Sequence, residues 1–351
     1  MKIKEIIEQI QPLDKTAMQS AQARQDMLTK PQGSLGRLEE LSIQLAGMMA
    51  NPMPAVERKT VIVMAADHGV ALDGVSAYPP EVTPQMVLNF LYGGAAINVL
   101  TRQAGARVLI VDMGVATEIE DASGKLIRRR VGSGTANLAK GPAMTRAQAE
   151  ESIQSGIEIA EAEIAQGVDI LATGDMGIGN TTPSAAIAAC ILRRAPTEIV
   201  GRGTGVDEAG LARKIHAVES GLKINKPNPA DAIDVLAKVG GFEIGGLAGV
   251  ILASAANRKP VVVDGFISTA AAMVAAVLAP ASRDYMISAH TSQERGHKLM
   301  LTWLGLNPLL DMNLRLGEGT GAALAFHLVE ASARILREMA TFAEAGVSDK
   351  E

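Results

Sequence analysis

The chain has 351 residues, 48% of them hydrophobic and only 3% aromatic, with a formal net charge of −5. That length supports a large core, in two domains or in one domain with a satellite. The acidic balance argues against nucleic acid or an anionic membrane as partner, and so few aromatic side chains leave little for single strands to stack on. A small-molecule partner is expected.

The opening stretch MKIKEIIEQIQPLDKTAM is charged and amphipathic, and without an uninterrupted apolar run it is not read as a signal peptide. Residues 1–50 carry helical patterning and no strand signal. TVIVMAAD reads as a first buried strand ending at Asp67, His68 and Gly69. A Pro-rich loop with Ser76 and Tyr78 then enters an apolar helical segment, TPQMVLNFLYGGAAINVLTRQAG, which contains Gln85. ARVLIVDMGV reads as a strand ending at Asp112. The helix after it is expected to start at Thr145, with Gln148 completing a capping box.

DILATGD reads as a strand running into the loop GDMGIGNTTP, Gly174 to Pro183, and then into a helix. EIVGRGTG reads as a further strand with a second glycine loop, and its helix carries Arg213 and Lys214. PVVVDGF and DYMISAH read as strands ending at Asp264 and His290. GFISTAAAMVAAVLAP is too short and too rich in small residues to span a bilayer. Strands alternating with helices imply an α/β fold, a parallel sheet covered on both faces in three layers. Residues 1–50 and 320–351 are expected to form a small helical domain beside a large α/β domain, residues 51–319. The single cysteine, Cys190, sits in an apolar run and reads as a structural thiol in a reducing, cytoplasmic compartment.

In an open parallel sheet, ligands bind at the carboxyl ends of the strands. Here those ends deliver glycines, acids and histidines to one edge. The segment Gly177, Ile178, Gly179, Asn180, Thr181 precedes a helix directly, with Thr181 or Thr182 as expected N-cap, so free N–H groups and the positive helix end face the loop. The alternative is a tight turn that needs glycine for sterics alone. The loop lacks the Gly-Lys-Ser/Thr of nucleotide-triphosphate loops and the third glycine of dinucleotide loops, which points to a monophosphate. Gly203, Thr204 and Gly205 repeat the design one strand later.

Glu318 lies between Gly317 and Gly319, just before a helical run. Three glycines in five residues suit a carboxylate shown to a closely approaching ligand, and such a carboxylate fits a general base. A solvent-facing capping acid is the alternative. Ser76, Tyr78 and Gln85 suit a flat apolar substrate with polar edges, or an ordinary surface loop. Asp67, His68, Asp112, Asp264 and His290 could instead hold a metal, but no tight ligand spacing supports one.

Five ordered motifs carry a family resemblance: KPQGSLGRLEELSIQLA, ADHGVALDGVSAYPPEVTPQMVLNFLYGGAAINVL, GDMGIGNTTPSAAI, GRGTGVD and MNLRLGEGTGAALA. Together, over essentially the whole chain, they resemble the nicotinate-nucleotide–dimethylbenzimidazole phosphoribosyltransferases of cobalamin lower-ligand activation. The resemblance implies a Rossmann-like sheet with a small helical domain, a homodimer, no cofactor and no metal. It implies that phosphoribose passes from nicotinate mononucleotide to a benzimidazole. Glu318 matches the family's catalytic base. Phosphate and ribose would fall to Asp175, Gly177, Ile178, Gly179, Asn180, Thr181, Gly203, Thr204, Gly205 and Lys214, and the base to Ser76, Tyr78, Gln85 and Leu316. At Asp175 a glutamate is expected, so the chain is one methylene short there. Two rival classes stay open: a nucleotide-binding module without catalysis, and a metal-dependent phosphohydrolase.

Overall fold

A computed structural model describes residues 2–348, so Met1 and residues 349–351 of the C-terminal segment lie outside the described residues. Six parallel strands form one sheet in the order β3-β2-β1-β4-β5-β6: β1 Lys59–Ala66, β2 Arg107–Gly114, β3 Leu126–Arg128, β4 Ile170–Met176, β5 Val261–Val263 and β6 Met286–Ser288. Alternation along β1 explains the layering. Ile62 and Met64 enter one apolar core with the Arg146–Ala165, Thr181–Leu192, Phe242–Ala256 and Phe266–Leu278 helices. Val61 and Val63 enter the other, with Arg37–Met49, Val82–Tyr92, Ala96–Gln103 and Thr320–Glu338. Successive strand residues face opposite ways, so a strand apolar on both faces needs helices on both.

The expected strands at β1, β2, β4, β5 and β6 are present. EIVGRGTG is not a strand. Pro196–Ile199 forms a short helix instead, with Pro196 at its first turn and the Glu198 carboxylate accepting the Ala195 N–H at 3.2 Å. Proline pre-sets the helical φ there, and the following glycines disfavour a strand. β3 went unread because three residues carry too little periodicity. The long apolar helix expected after Pro80 is two helices, Val82–Tyr92 and Ala96–Gln103, broken where Gly93 takes φ +80°. Thr145 caps as expected: its hydroxyl accepts the Gln148 N–H at 3.2 Å, and Gln148 accepts the Thr145 N–H at 3.0 Å.

Lys15–Met27, Arg37–Met49 and Thr320–Glu338 pack on one another, with Ala17, Ala21, Ala46 and Leu336 as a small shared core. Thr320–Glu338 also lies on the sheet, whereas Ile3–Gln9 packs against Arg146–Ala165 and Phe242–Ala256. Among the described residues no helix is long and apolar enough to cross a membrane. The chain order reverses between β1 and β4, and the crevice outside the carboxyl ends of such a pair is where open α/β sheets bind ligands.

Candidate active site

That crevice holds a cavity of about 350 Å³. One end is made of backbone. β4 runs into Gly177–Asn180 and the Thr181–Leu192 helix begins at once, with Asn180 rather than a threonine as N-cap. Asn180 does not cap the helix with its side chain. Its Nδ2 donates to Asp175 Oδ2 at 2.9 Å, so the first helical amides keep no side-chain acceptor. The loop amides divide. Ile178 N–H donates to Thr83 Oγ1 at 3.1 Å, and the Asn180 and Thr182 N–H groups donate to Gly177 and Gly179 carbonyls at 3.1 and 2.9 Å. Gly177, Gly179 and Thr181 N–H groups are left without a partner among the described residues. Unpaired donors at a helix start are an arrangement that can hold an anion.

The loop has no lysine of its own, yet one reaches it. Lys214, from the Glu208–Asn225 helix, is 1% exposed and its Nζ donates to Thr181 Oγ1 at 2.8 Å. Burial lowers its pKa to about 8, with Glu294 opposing that shift. The second glycine loop arches over it. Thr204 Oγ1 accepts the Ala77 N–H at 3.0 Å and lies 3.2 Å from Ser76 Oγ, and Arg315 donates to the Gly203 carbonyl at 3.2 Å. Gly205 lies outside the cavity, in the wall of a neighbouring basin of about 510 Å³ that shares Gly203, Glu294 and Arg315 with it.

The other end is made of carboxylates and apolar side chains. Gly317, Glu318 and Gly319 take φ of +85°, +63° and +88° in succession. A residue with a Cβ in that region costs about 1–2 kcal/mol. The Glu318 N–H donates to the Asp175 carbonyl at 3.3 Å, and the Gly319 and Ala322 N–H groups donate to Asp264 at 3.2 and 2.9 Å. At about 1 kcal/mol net for each hydrogen bond, these outweigh the strain. The Glu318 carboxylate lines the cavity and accepts the Ile97 N–H, at the start of Ala96–Gln103, at 3.4 Å. The break at Gly93 therefore delivers a helix N-terminus to this acid.

Burial raises the Glu318 pKa above its ordinary value and Asp264 adds to the shift, while the Ile97 amide opposes it. Asp175 is fully buried, and burial together with Asp264 holds its pKa well above the aspartate range, so it stays protonated far more readily. Asp264 is raised by burial too, against the pull of His290 3.8 Å away.

Tyr78, Ile178, Asn180, Thr181, Thr204 and Leu316 line the same cavity as Asp175, Gly177 and Gly203. Gln85 does not. It is exposed, one residue and so about 100° of helix rotation from Met86, which lines the wall with Val82. Ser76 stands behind Thr204. Gly265, read in sequence with Asp264 as a strand end, also lines the cavity, as do Phe266, Ile267, Ser292, Glu294 and Arg315; sequence reading passed over these five, though Phe266 directly follows that strand end. The acids ending β1 and β2 do not reach the cavity: Asp67 accepts the Ala116 N–H at 2.8 Å, and Asp112 accepts Gly114 and Val115 N–H groups at 2.9 and 2.8 Å. Cys190 is half-buried, its thiol pushed up to about 11 by burial, as suits a structural rather than nucleophilic thiol.

A family model described as phosphoribosyltransferase matches residues 10–347. A nicotinate-nucleotide–dimethylbenzimidazole phosphoribosyltransferase from Roseiflexus sp. (strain RS-1) is 60% identical over 348 residues, 99% of this chain and 98% of that protein. One of the same name from Chloroflexus aurantiacus (strain ATCC 29366 / DSM 635 / J-10-fl) is 59% identical, covering 99% of each chain. The crystal structure of the protein of that name from Thermus thermophilus superposes with a TM-score of 0.91 at 48% identity, over 96% of this chain and all of that one. Whole-length identity at this level, on the same sheet, leaves one assignment: the chain belongs to the nicotinate-nucleotide–dimethylbenzimidazole phosphoribosyltransferase family.

Proposed function

We propose that this enzyme moves 5-phosphoribose from nicotinate mononucleotide to 5,6-dimethylbenzimidazole or a related base, giving α-ribazole 5′-phosphate and nicotinate in cobalamin nucleotide-loop assembly. The observation that carries the reading is the pairing, in one cavity, of a lysine-backed phosphate loop with a carboxylate held on strained backbone. In this account Gly177, Gly179 and Thr181 amides and Lys214 bind the 5′-phosphate, with Gly203 and Thr204 closing over it. Val82, Met86, Tyr78 and Leu316 give the flat base an apolar surface.

Nicotinate leaves as a neutral ring nitrogen, so the departure needs no general acid, and no pyrophosphate leaves that would call for a divalent cation. The attacking benzimidazole nitrogen becomes cationic as it bonds to C1′, which acidifies the other ring N–H. Glu318 accepts that proton. Its raised pKa brings it closer to the operating pH, where a general base works best, and its charge favours the cationic transition state. The raised pKa of Asp175 beside it favours the neutral acid, a form that can donate a hydrogen bond to a ribose oxygen. The reading includes a cytoplasmic homodimer, the assembly the family resemblance implies.

Incubation with nicotinate mononucleotide and a panel of benzimidazole, purine and phenolic bases, following nicotinate release, tests the reading. Release that depends on an added base supports it. Base-independent hydrolysis would favour a phosphohydrolase, and binding without release would favour a module that only holds the nucleotide.

A further inference from the structure

Behind the phosphate loop, outside the cavity lining, lies a buried histidine–glutamate pair that the chemistry above does not use. His68 follows β1, and its Nε2 sits 2.9 Å from Glu243 Oε1, on the first turn of Phe242–Ala256; the two side chains are 1% and 0% exposed. Burial lowers the imidazole pKa, but Glu243 and then Asp67 outweigh it and raise it above its ordinary value, so the ring holds a proton more readily than a free imidazole. A fully buried ion pair is a weak source of stability, because desolvating both charges offsets most of their attraction.

Its position suggests another role. The His68 ring is held between two glycines. A Cβ on Gly177 would meet the Ala66 carbonyl oxygen first and then His68 Nε2 at 3.2 Å, and one on Gly241 would lie 2.5 Å from His68 Cε1. Gly177 is the first residue of the phosphate loop. Three residues past His68, Ala71 supports the same loop, since a Cβ on Gly179 would lie 3.2 Å from the Ala71 Cβ. The segment then continues to Ser76 and Ala77, which bond Thr204 of the second glycine loop. One short stretch therefore touches two of the free-amide residues and the loop that covers them.

We propose that the His68–Glu243 pair is a positioning element for phosphate recognition: the imidazole seats the Cα of Gly177 and so aims the Gly177 and Gly179 N–H groups at the 5′-phosphate. The inference rests on the phosphate reading of the loop. Removing one partner alone strands a buried charge, so the variant of choice is the double His68→Asn/Glu243→Gln, which keeps two neutral hydrogen-bonding side chains. KM for nicotinate mononucleotide should rise roughly tenfold to a hundredfold, while kcat at saturation and KM for the base stay within about twofold. An unchanged mononucleotide KM, or an equal fall in kcat and rise in both KM values, overturns it.

Lys214→Met separates the two layers. If that variant leaves the mononucleotide KM unchanged, the phosphate reading itself fails. If it raises KM and the His68/Glu243 double variant does not, only the positioning role fails. In the native protein, ribose 5-phosphate should move the ring ¹⁵N signals of His68 and leave those of surface His216 in place. A His68 signal that does not respond contradicts the proposal whether or not the variants fold.

Discussion

The two ends of the cavity contain different materials. At the end proposed to hold the phosphate, backbone amides are backed by one lysine; at the end proposed to hold the base, carboxylates and apolar side chains line the wall. Amides at a helix start are fixed once the chain folds, carry no titratable charge, and suit steady binding of an anion. The carboxylates titrate, and burial moves their pKa values toward the range where proton transfer happens. In the proposed reading binding and chemistry are separated along one cavity, and substitutions at the two ends should fail in different kinetic parameters.

The largest effect is expected at the carboxylate end. Glu318→Gln keeps the side-chain size but cannot take a proton, and should lower kcat by about 10²- to 10⁴-fold. The mononucleotide KM should hardly change, since the carboxylate acts after attack begins. Circular dichroism on the variant checks that the protein still folds. A loss confined to KM would erase the contrast between the ends.

At the phosphate end the order reverses. Gly179 has φ +89°, and a side chain there would also meet Ala71, so Gly179→Val should raise the mononucleotide KM far more than the base KM. Lys214→Met should raise it on the order of 10- to 100-fold, the worth of one charge-assisted hydrogen bond. Because burial depresses the Lys214 pKa to about 8, the wild-type mononucleotide KM should also climb as pH rises through that value, and in Lys214→Met that rise should vanish. Steady-state kinetics from neutral to alkaline pH measure both.

A smaller effect, on stability, separates the ends further. In the unfolded chain Asp175 loses its proton near the ordinary aspartate value; folded, it does so only at much higher pH. Its contribution to stability is therefore fully present below the ordinary value and is lost as pH rises through the folded pKa. Asp175→Asn removes that slope, so its denaturation midpoint should exceed that of the wild type by a margin that widens from acid to neutral pH. A margin that does not change with pH would mean that Asp175 is ionised in the fold.

The shape of the glycine loop was the more legible in sequence, because alternating glycines before a helix describe a backbone shape directly. The sequence could not say which amides stay free, since Thr83 takes the Ile178 N–H from 95 residues away. Nor could it show Lys214 closing on Thr181 across 33 residues. At the other end the Glu318 turn was legible from its flanking glycines and Asp264 as a strand-end acid, but not the bond by which Asp264 holds that turn from 55 residues before Gly319. Gln85 was expected in the wall and Met86 is found there: composition identified the helix but not its rotation. The strands were legible where long apolar runs cross a sheet covered on both faces. EIVGRGTG misled because a β-branched pair before glycines resembles a strand end, while Pro196 two residues earlier starts a helical turn.

Whether Glu318 takes the proton is decided by the pH dependence of the chemical step. Single-turnover rates at saturating mononucleotide and base should fall on the acid side as Glu318 is protonated, with the midpoint above the ordinary glutamate range because burial raises its pKa. In Glu318→Gln the residual rate should be slow and should lose that acid limb. A variant that keeps the wild-type limb at the same midpoint would show that another group accepts the proton, and would contradict the role assigned to Glu318.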